Sequence, residues 1–233
     1  MEQPRVGVII VAGGSGKRMG GPLPKQFSII GGKPILAHTI NAFRKALPAS
    51  RILVVLPSDY IEFWKNLASR FEVAKHTVVE GGKERFYSVK NGIEALSDAV
   101  DLIAVQDGVR PFASKEMILR TVACAAENGS AIPVVKAVDS YRAVEEGDQS
   151  HIVDRTPLRI VQTPQIFAAT ILRAAYDTLF SAEFTDDASV VEASGEKVTL
   201  CEGDYLNIKI TTPNDIALAN AIIESRNEDK ENE

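Results

Sequence analysis

Residues Val11 to Gln26 read VAGGSGKRMGGPLPKQ. They place five glycines beside Lys17, Arg18 and Lys25, with no acid among them. Glycine-rich backbone after an apolar run lets N–H groups approach an anion closely, and fixed cations on the same stretch add charge. The chemistry such a stretch could perform is the holding of phosphates. Three familiar phosphate or nucleophile patterns fail on it. In a Walker A loop the first glycine would fall at Val11, and Arg18 stands where Ser or Thr is needed after Gly16-Lys17. A GxGxxG fingerprint starts at Gly14 and Gly16 but meets Met19 at its third glycine, and no acid follows about 20 residues on to hold a ribose. A nucleophile elbow around Ser15 would need Gly at Lys17.

Other residues able to act are spread along the chain. Gly81-Gly82-Lys83-Glu84-Arg85 precedes Ser88, and Gln106-Asp107-Gly108-Val109-Arg110-Pro111 sets an acid after an apolar run. Asp107 could face a ribose, a substrate hydroxyl or a metal, or close an Asx turn. Thr185-Asp186-Asp187-Ala188-Ser189 has the pattern of a helix cap, and Lys209 lies in the alternating run Asn207 to Thr211, which reads as a strand. His38, His76 and His151 are isolated, and no Ser-His-Asp, Cys-His, CxxC or HExxH arrangement occurs, so neither nucleophilic catalysis nor a zinc site is suggested. The candidates are mainly cations. That inventory suits attack by one phosphate on another, because a phosphomonoester, with a second pKa near ~6, needs no general base at neutral pH. Catalysis is then positioning and charge stabilisation.

The elements that must position these residues follow from periodicity. Short β-branched runs at Val6–Val11, Arg51–Leu56, His76–Val79, Leu102–Gln106 and Ala131–Val135 alternate with helical patterns at Pro34–Ala46, Ser58 to about Arg70, Lys83–Leu96 and Ser114–Asn128. This rhythm predicts an α/β fold, a mostly parallel sheet with helices on both faces and ligands at the carboxyl ends of the strands. At Asp139 the rhythm breaks. Ser140 to Asp154 predicts an inserted β-hairpin arm, the arm region spanning about 139–158. A strand at Arg159–Gln162, helices at Ala168–Leu179 and Asp187–Ala193, a strand at Val198–Leu200 and a helix from Pro213 to about Ser225 complete one domain over 1–233, with a disordered polar tail at about 226–233.

Composition narrows the partners. The apolar fraction is 45% and the charged fraction 24%, as in an ordinary globule, and the longest apolar runs are too short to span a membrane. No signal peptide pattern opens the chain, and two distant cysteines, Cys124 and Cys201, read as reduced thiols, so a cytoplasmic protein is expected. Net charge is -5, yet Gln3 to Ser58 holds no Asp or Glu. Positive potential is therefore concentrated locally on an acidic protein, which argues for a small anion and against nucleic acid.

Together, VAGGSGKRMG…LPKQF, GGKERFYSV, VQDGVRPF, VDR…QTPQIF, TDDASVVE and NIKITTP resemble the motifs of the 2-C-methyl-D-erythritol 4-phosphate cytidylyltransferases, from about Val8 to Asp215. The resemblance implies a Rossmann-like nucleotidyltransferase fold and a reaction of CTP with methylerythritol phosphate, with Mg²⁺ held mainly by the nucleotide phosphates and no protein ligand named. It implies that Arg18 and Lys25 stabilise the transition state, and that Arg155 and Lys209 position the sugar phosphate. Cytidine contacts carry over to Ala12, Gly13, Gly14 and Gly16, to Gly82 and Ser88, and to Asp107 and Gly108. Ser140, Thr163 and Thr185 match substrate-side positions. It also implies a homodimer, in which the arm of one subunit reaches the site of the other. Two departures stand out: QDGVRP replaces the commoner HDAARP, and position 140 is Ser where Thr is common. A ribitol 5-phosphate cytidylyltransferase is the closest alternative; VDR and the intact TDDASVVE favour methylerythritol phosphate. A nicotinamide-binding protein is disfavoured by the failed fingerprint, and an inactive sugar-nucleotide sensor by the presence of all four cations.

Overall fold

A computed structural model describes residues 4–14, 23–97, 99–145, 147 and 149–231. In chain order the elements are β1 (Val6–Val11), a 3-10 turn (Lys25–Phe27), β2 (Ile29–Ile30), β3 (Lys33–Pro34), α1 (Ile35–Ala46), β4 (Arg51–Leu56), α2 (Ser58–Ala68), β5 (Thr77–Glu80), α3 (Arg85–Ala95) and β6 (Leu102–Asp107). They continue with α4 (Lys115–Asn128), β7 (Ser130–Lys136), β8 (Tyr141–Val144), β9 (Ser150–Val153), β10 (Arg159–Val161), β11 (Gln165–Ala168), α5 (Ala169–Ala175), α6 (Asp187–Ala193), β12 (Leu200–Glu202) and α7 (Pro213–Glu231).

Among the described residues the main sheet runs β10-β7-β11-β6-β1-β4-β5, with β12 on β7. One half is the expected parallel sheet: β1 lies between β4 and β6, and β5 follows β4, all parallel. The run VGVIIV in β1 is buried at every position. Its side chains divide with the two-residue period of a strand. Val8 and Ile10 join one core, shared with Leu36, Phe43 and Met117. Ile9 and Val11 join the other, shared with Phe86, Val89 and Leu172. Gly92 explains how α3 lies so close: a Cβ there would come within 2.6 Å of Ile9 Cγ2. Helix α4 has the signals its sequence carries. Ser114 accepts a hydrogen bond from the Met117 N–H, and Gly129 closes the helix at φ 80°.

The other half departs from the rhythm. β11 enters antiparallel between β6 and β7, and β10 also pairs antiparallel with β7. QIFA is too short to announce itself beside the helix that follows it. The hairpin arm forms as expected, β8 and β9 pairing only with each other among the described residues. Several boundaries move. Helix α2 stops at Ala68 rather than about Arg70, and Pro57 occupies its N-cap with no side-chain cap bond. Helix α5 stops at Ala175 rather than Leu179, and the strand expected at 198–200 forms at Leu200–Glu202.

The run Asn207–Thr211 is not a strand. Its alternation is real in that Ile210 is buried, but among the described residues no strand pairs with it; the Ile210 N–H instead donates to the Val109 carbonyl at 2.9 Å. A third small core of Ile30, Ile35, Val109, Phe112, Ile210, Ala219 and Ile222 fastens this segment and α7 to the carboxyl end of the sheet. The last helix continues to Glu231, so the segment 226–231, expected as a disordered tail, is helical backbone; neither Gly nor Pro interrupts it after Pro213.

Candidate functional site

Strands β1, β4 and β6 end on the same side, and a cleft of about 440 Å³ opens there, within the size range of a small-ligand site. Its first wall is Val11 to Gly14. The Ala12 N–H still donates to Val55 of β4, and the Ala12 carbonyl accepts from Gln26 Nε2 at 2.6 Å. A Cβ on Gly14 would meet no atom of the described residues within 4 Å. Lys25 and Gln26, in the 3-10 turn, line the same wall.

The second wall is the turn from Gly82 to Arg85, with Ser88 beneath it. Glycine at 82 is a steric requirement, because a Cβ would lie 2.2 Å from Tyr87 Cβ. Ser88 Oγ accepts from the Gly82 N–H at 3.2 Å and donates to the Glu84 carbonyl at 3.1 Å, fixing the turn from below.

Asp107, the last residue of β6, forms the floor. Its N–H donates to Thr163 Oγ1 at 3.0 Å. Its carboxylate is surrounded by cations: Lys209 Nζ at 2.9 Å and Arg110 Nε at 3.5 Å from Oδ2, and Arg85 Nε at 3.9 Å from Oδ1. Burial opposes its ionisation, but Arg85, Lys209 and Arg110 outweigh burial and hold the carboxyl below its ordinary range. Burial also lowers the Arg110 pKa, although Asp107 works against that; Arg110 is held by the carbonyls of Asn207 at 2.9 Å and Val161 at 3.3 Å. The lining charges are Lys25, Lys83, Arg85 and Lys209 against Glu84 and Asp107. The excess is positive, and the acid-free amino-terminal region supplies one of its cations, Lys25.

Of the residues singled out in the sequence, Ala12, Gly13, Gly14, Lys25, Gly82, Ser88, Asp107 and Lys209 line this cleft. Gly108 lies beneath it, where a Cβ would come within 2.9 Å of Ala12 Cβ, so it serves close packing. Thr163 is buried behind Asp107. Gly16 and Arg18 lie outside the described residues. Arg155, Ser140 and Thr185 are exposed and do not line the cleft within one chain. Arg155 donates to the Val138 carbonyl at the base of the arm, and the Thr185 N–H donates to Ser189 Oγ at the head of α6. Sequence reasoning missed Gln26, Arg85 and Arg110. All three stand inside the quoted motifs, but nothing in the residue order says that they converge.

Residues 6–225 match the family described as IspD, 2-C-methyl-D-erythritol 4-phosphate cytidylyltransferase. The chain is 48% identical to the 2-C-methyl-D-erythritol 4-phosphate cytidylyltransferase of Bacteroides thetaiotaomicron over 217 residues, covering 93% of this chain and 98% of that protein. It is 40% identical to the enzyme of that name from Geobacter metallireducens, over 94% of this chain and 97% of the relative. Among solved structures it superposes on 2-C-methyl-D-erythritol 4-phosphate cytidylyltransferase from Thermus thermophilus with a TM-score of 0.76 at 34% identity, covering 94% of this chain and 98% of the other. The 4-diphosphocytidyl-2C-methyl-D-erythritol synthase of Anaerococcus prevotii gives a TM-score of 0.80 at 29% identity, over 96% and 100% of the two chains.

Proposed function

The chain belongs to the 2-C-methyl-D-erythritol 4-phosphate cytidylyltransferase family, and from that premise we propose how its cleft joins CTP to 2-C-methyl-D-erythritol 4-phosphate. The products are 4-diphosphocytidyl-2-C-methyl-D-erythritol and pyrophosphate, a step of isoprenoid precursor synthesis by the non-mevalonate route. The observation that carries the reading is the cation-rich cleft at the strand ends, with bare glycines on one wall and the Asp107–Lys209 pair on its floor.

An oxygen of the acceptor phosphate forms a bond to the α-phosphorus of CTP. The bond from that phosphorus to the bridging oxygen breaks, and its electron pair leaves with pyrophosphate. At neutral pH the acceptor phosphate is largely dianionic, since its second pKa is near ~6, and no base has to be found. The chain's task is to bring two polyanions together and to meet the charge that builds on the attacked phosphorus oxygens. Lys25 stands on the glycine wall for that purpose, with Arg18 as its partner by motif. Gly13, Gly14, Gly82 and Ser88 shape the nucleotide side. Lys209, held by Asp107, faces the acceptor side.

Among the described residues no group of three His, Cys, Asp or Glu side chains converges into a cage for a metal. This donor set fits Mg²⁺ carried in on the triphosphate. When bound, the ion neutralises phosphate charge. The acceptor-side residues outside the cleft, Ser140 and Arg155, belong to the arm region, and we assign them to the site of the second subunit in a homodimer. Exposed Val138 at the base of the arm, and Val144 and Ile152 on it, are apolar surface such a partner would cover. No helix among the described residues is long and apolar enough to cross a membrane. A cytoplasmic setting suits the two free cysteines.

Pyrophosphate release tests the reading, using CTP, ATP, GTP and UTP in turn with 2-C-methyl-D-erythritol 4-phosphate and with ribitol 5-phosphate. The expected outcome is turnover of CTP with methylerythritol phosphate. Faster turnover of ribitol phosphate, an alternative the comparisons do not support, would sink the assignment.

A further inference from the structure

Arg85 opens α3, where a cation opposes the helix dipole; that first turn holds no acid, and Glu84 makes no side-chain cap bond. The placement is locally unfavourable, so its reason lies in tertiary structure. Asp187 supplies half of it. Its carboxylate is fully buried at the head of α6 and grips the guanidinium with both oxygens, at 3.0 Å from Nη1 and 2.5 Å from Nη2. The Tyr176 hydroxyl donates to the same carboxylate at 2.7 Å. The fork is thus turned so that its remaining edge, Nε, faces Asp107 Oδ1 at 3.9 Å. The two oxygens of Asp107 are thereby divided: Oδ1 toward Arg85, Oδ2 toward Lys209 and Arg110.

We infer that Arg85 is a positioning residue: clamped by Asp187 and Tyr176, it sets the rotation of the Asp107 carboxylate and through it the place of the Lys209 ammonium. A staple joining α3 to α6 would need only the two Nη contacts; it would not need the third edge directed into the cleft. The charge of Arg85 opposes burial of the Asp107 carboxylate, as do the charge and hydrogen bond of Lys209 and the charge of Arg110, in keeping with this role. The second acid of TDDAS gains a purpose beyond capping, since the capping box is made by Asp186 and Ser189 without it.

The inference rests on the cytidylyl transfer proposed above, and the test separates the two. Steady-state kinetics with CTP and 2-C-methyl-D-erythritol 4-phosphate are compared for the full chain, Arg85→Gln, Lys209→Ala and the double variant, with thermal unfolding of each. Arg85→Gln is expected to lower kcat roughly tenfold or more in the parent, and by under about threefold when Lys209 is already Ala, because residues acting through one network are not additive. The KM for CTP should move little. Arg85→Lys keeps the charge but loses the fork, so it should fold and still lose kcat; it replaces Arg85→Gln in the cycle if the latter does not fold. Fully multiplicative effects with Lys209→Ala overturn the inference, as does an unchanged kcat, with or without a lowered unfolding temperature. An inactive parent chain sinks the reaction and the inference together; an active parent with independent variants sinks the inference alone.

Discussion

Gln26 Nε2 donates to the Ala12 carbonyl oxygen at 2.6 Å, tying the 3-10 turn that carries Lys25 to the end of β1. Both partners are buried, so the bond holds the turn that carries Lys25 against the end of β1. Gln26→Ala would leave the carbonyl unsatisfied at a cost of about 1–3 kcal/mol. The expected outcome is a lowered melting temperature together with a lower kcat/KM for CTP. Loss of stability with catalysis intact would show that the tie does not place Lys25.

Lys25 itself lines the cleft. If it meets transition-state charge as other electrostatic stabilisers do, Lys25→Ala raises the barrier by about 3 kcal/mol, a loss of roughly a hundredfold in kcat. The effect on CTP binding should be milder. Single-turnover rates and CTP titration check this, and an unchanged kcat removes Lys25 from the mechanism.

Arg155 is exposed at the base of the arm and does not line its own chain's cleft. If the arm serves the second subunit, then Arg155→Ala and Lys25→Ala chains, each nearly inactive alone, should regain activity when mixed and allowed to exchange. One of the two sites in a mixed dimer would hold both native side chains. The activity of the mixture against that of each variant decides it; no recovery despite proven exchange rejects the trans arrangement.

Stability should fall in mild acid. His76 Nε2 accepts from Trp64 Nε1 at 3.0 Å, which requires the neutral ring, with Nδ1–H donating to the Ala74 carbonyl at 2.7 Å. Burial lowers its pKa below the ordinary 6.5, and burial does the same to His38. With the folded pKa depressed, the unfolded chain takes up protons first as pH falls below 6.5, so stability present above that pH declines toward the folded value. His76→Gln keeps an acceptor for Trp64 but cannot titrate. Its melting temperature should drop less than that of the parent between pH 7.5 and pH 5.5, which paired thermal melts would reveal.

Much of this protein is legible in residue order. Val6–Val11 and its neighbours announce buried strands, because a strand covered on both faces is apolar throughout. Gly129 and Ser114 announce the ends of α4, because caps are local chemistry. The glycine stretch and the acid-free span from Gln3 to Ser58 announce a site for an anion, and eight of the residues singled out for that site share one cleft. These features depend on residues near one another in the chain, and local periodicity or a short motif carries them.

Convergence is different. Arg85, Asp107, Asp187 and Lys209 meet only because β6 lies beside β1, because β11 inserts antiparallel next to it, and because the core around Ile210 and Ala219 draws an irregular segment over the strand ends. No local pattern specifies those events; they follow from which apolar faces find one another at long range. The sequence by itself therefore determined the kind of ligand and the cations available to it, through composition and motif. The tertiary structure alone decided which oxygen of Asp107 faces which cation, since that orientation is set by burial and hydrogen bonds between residues about a hundred positions apart.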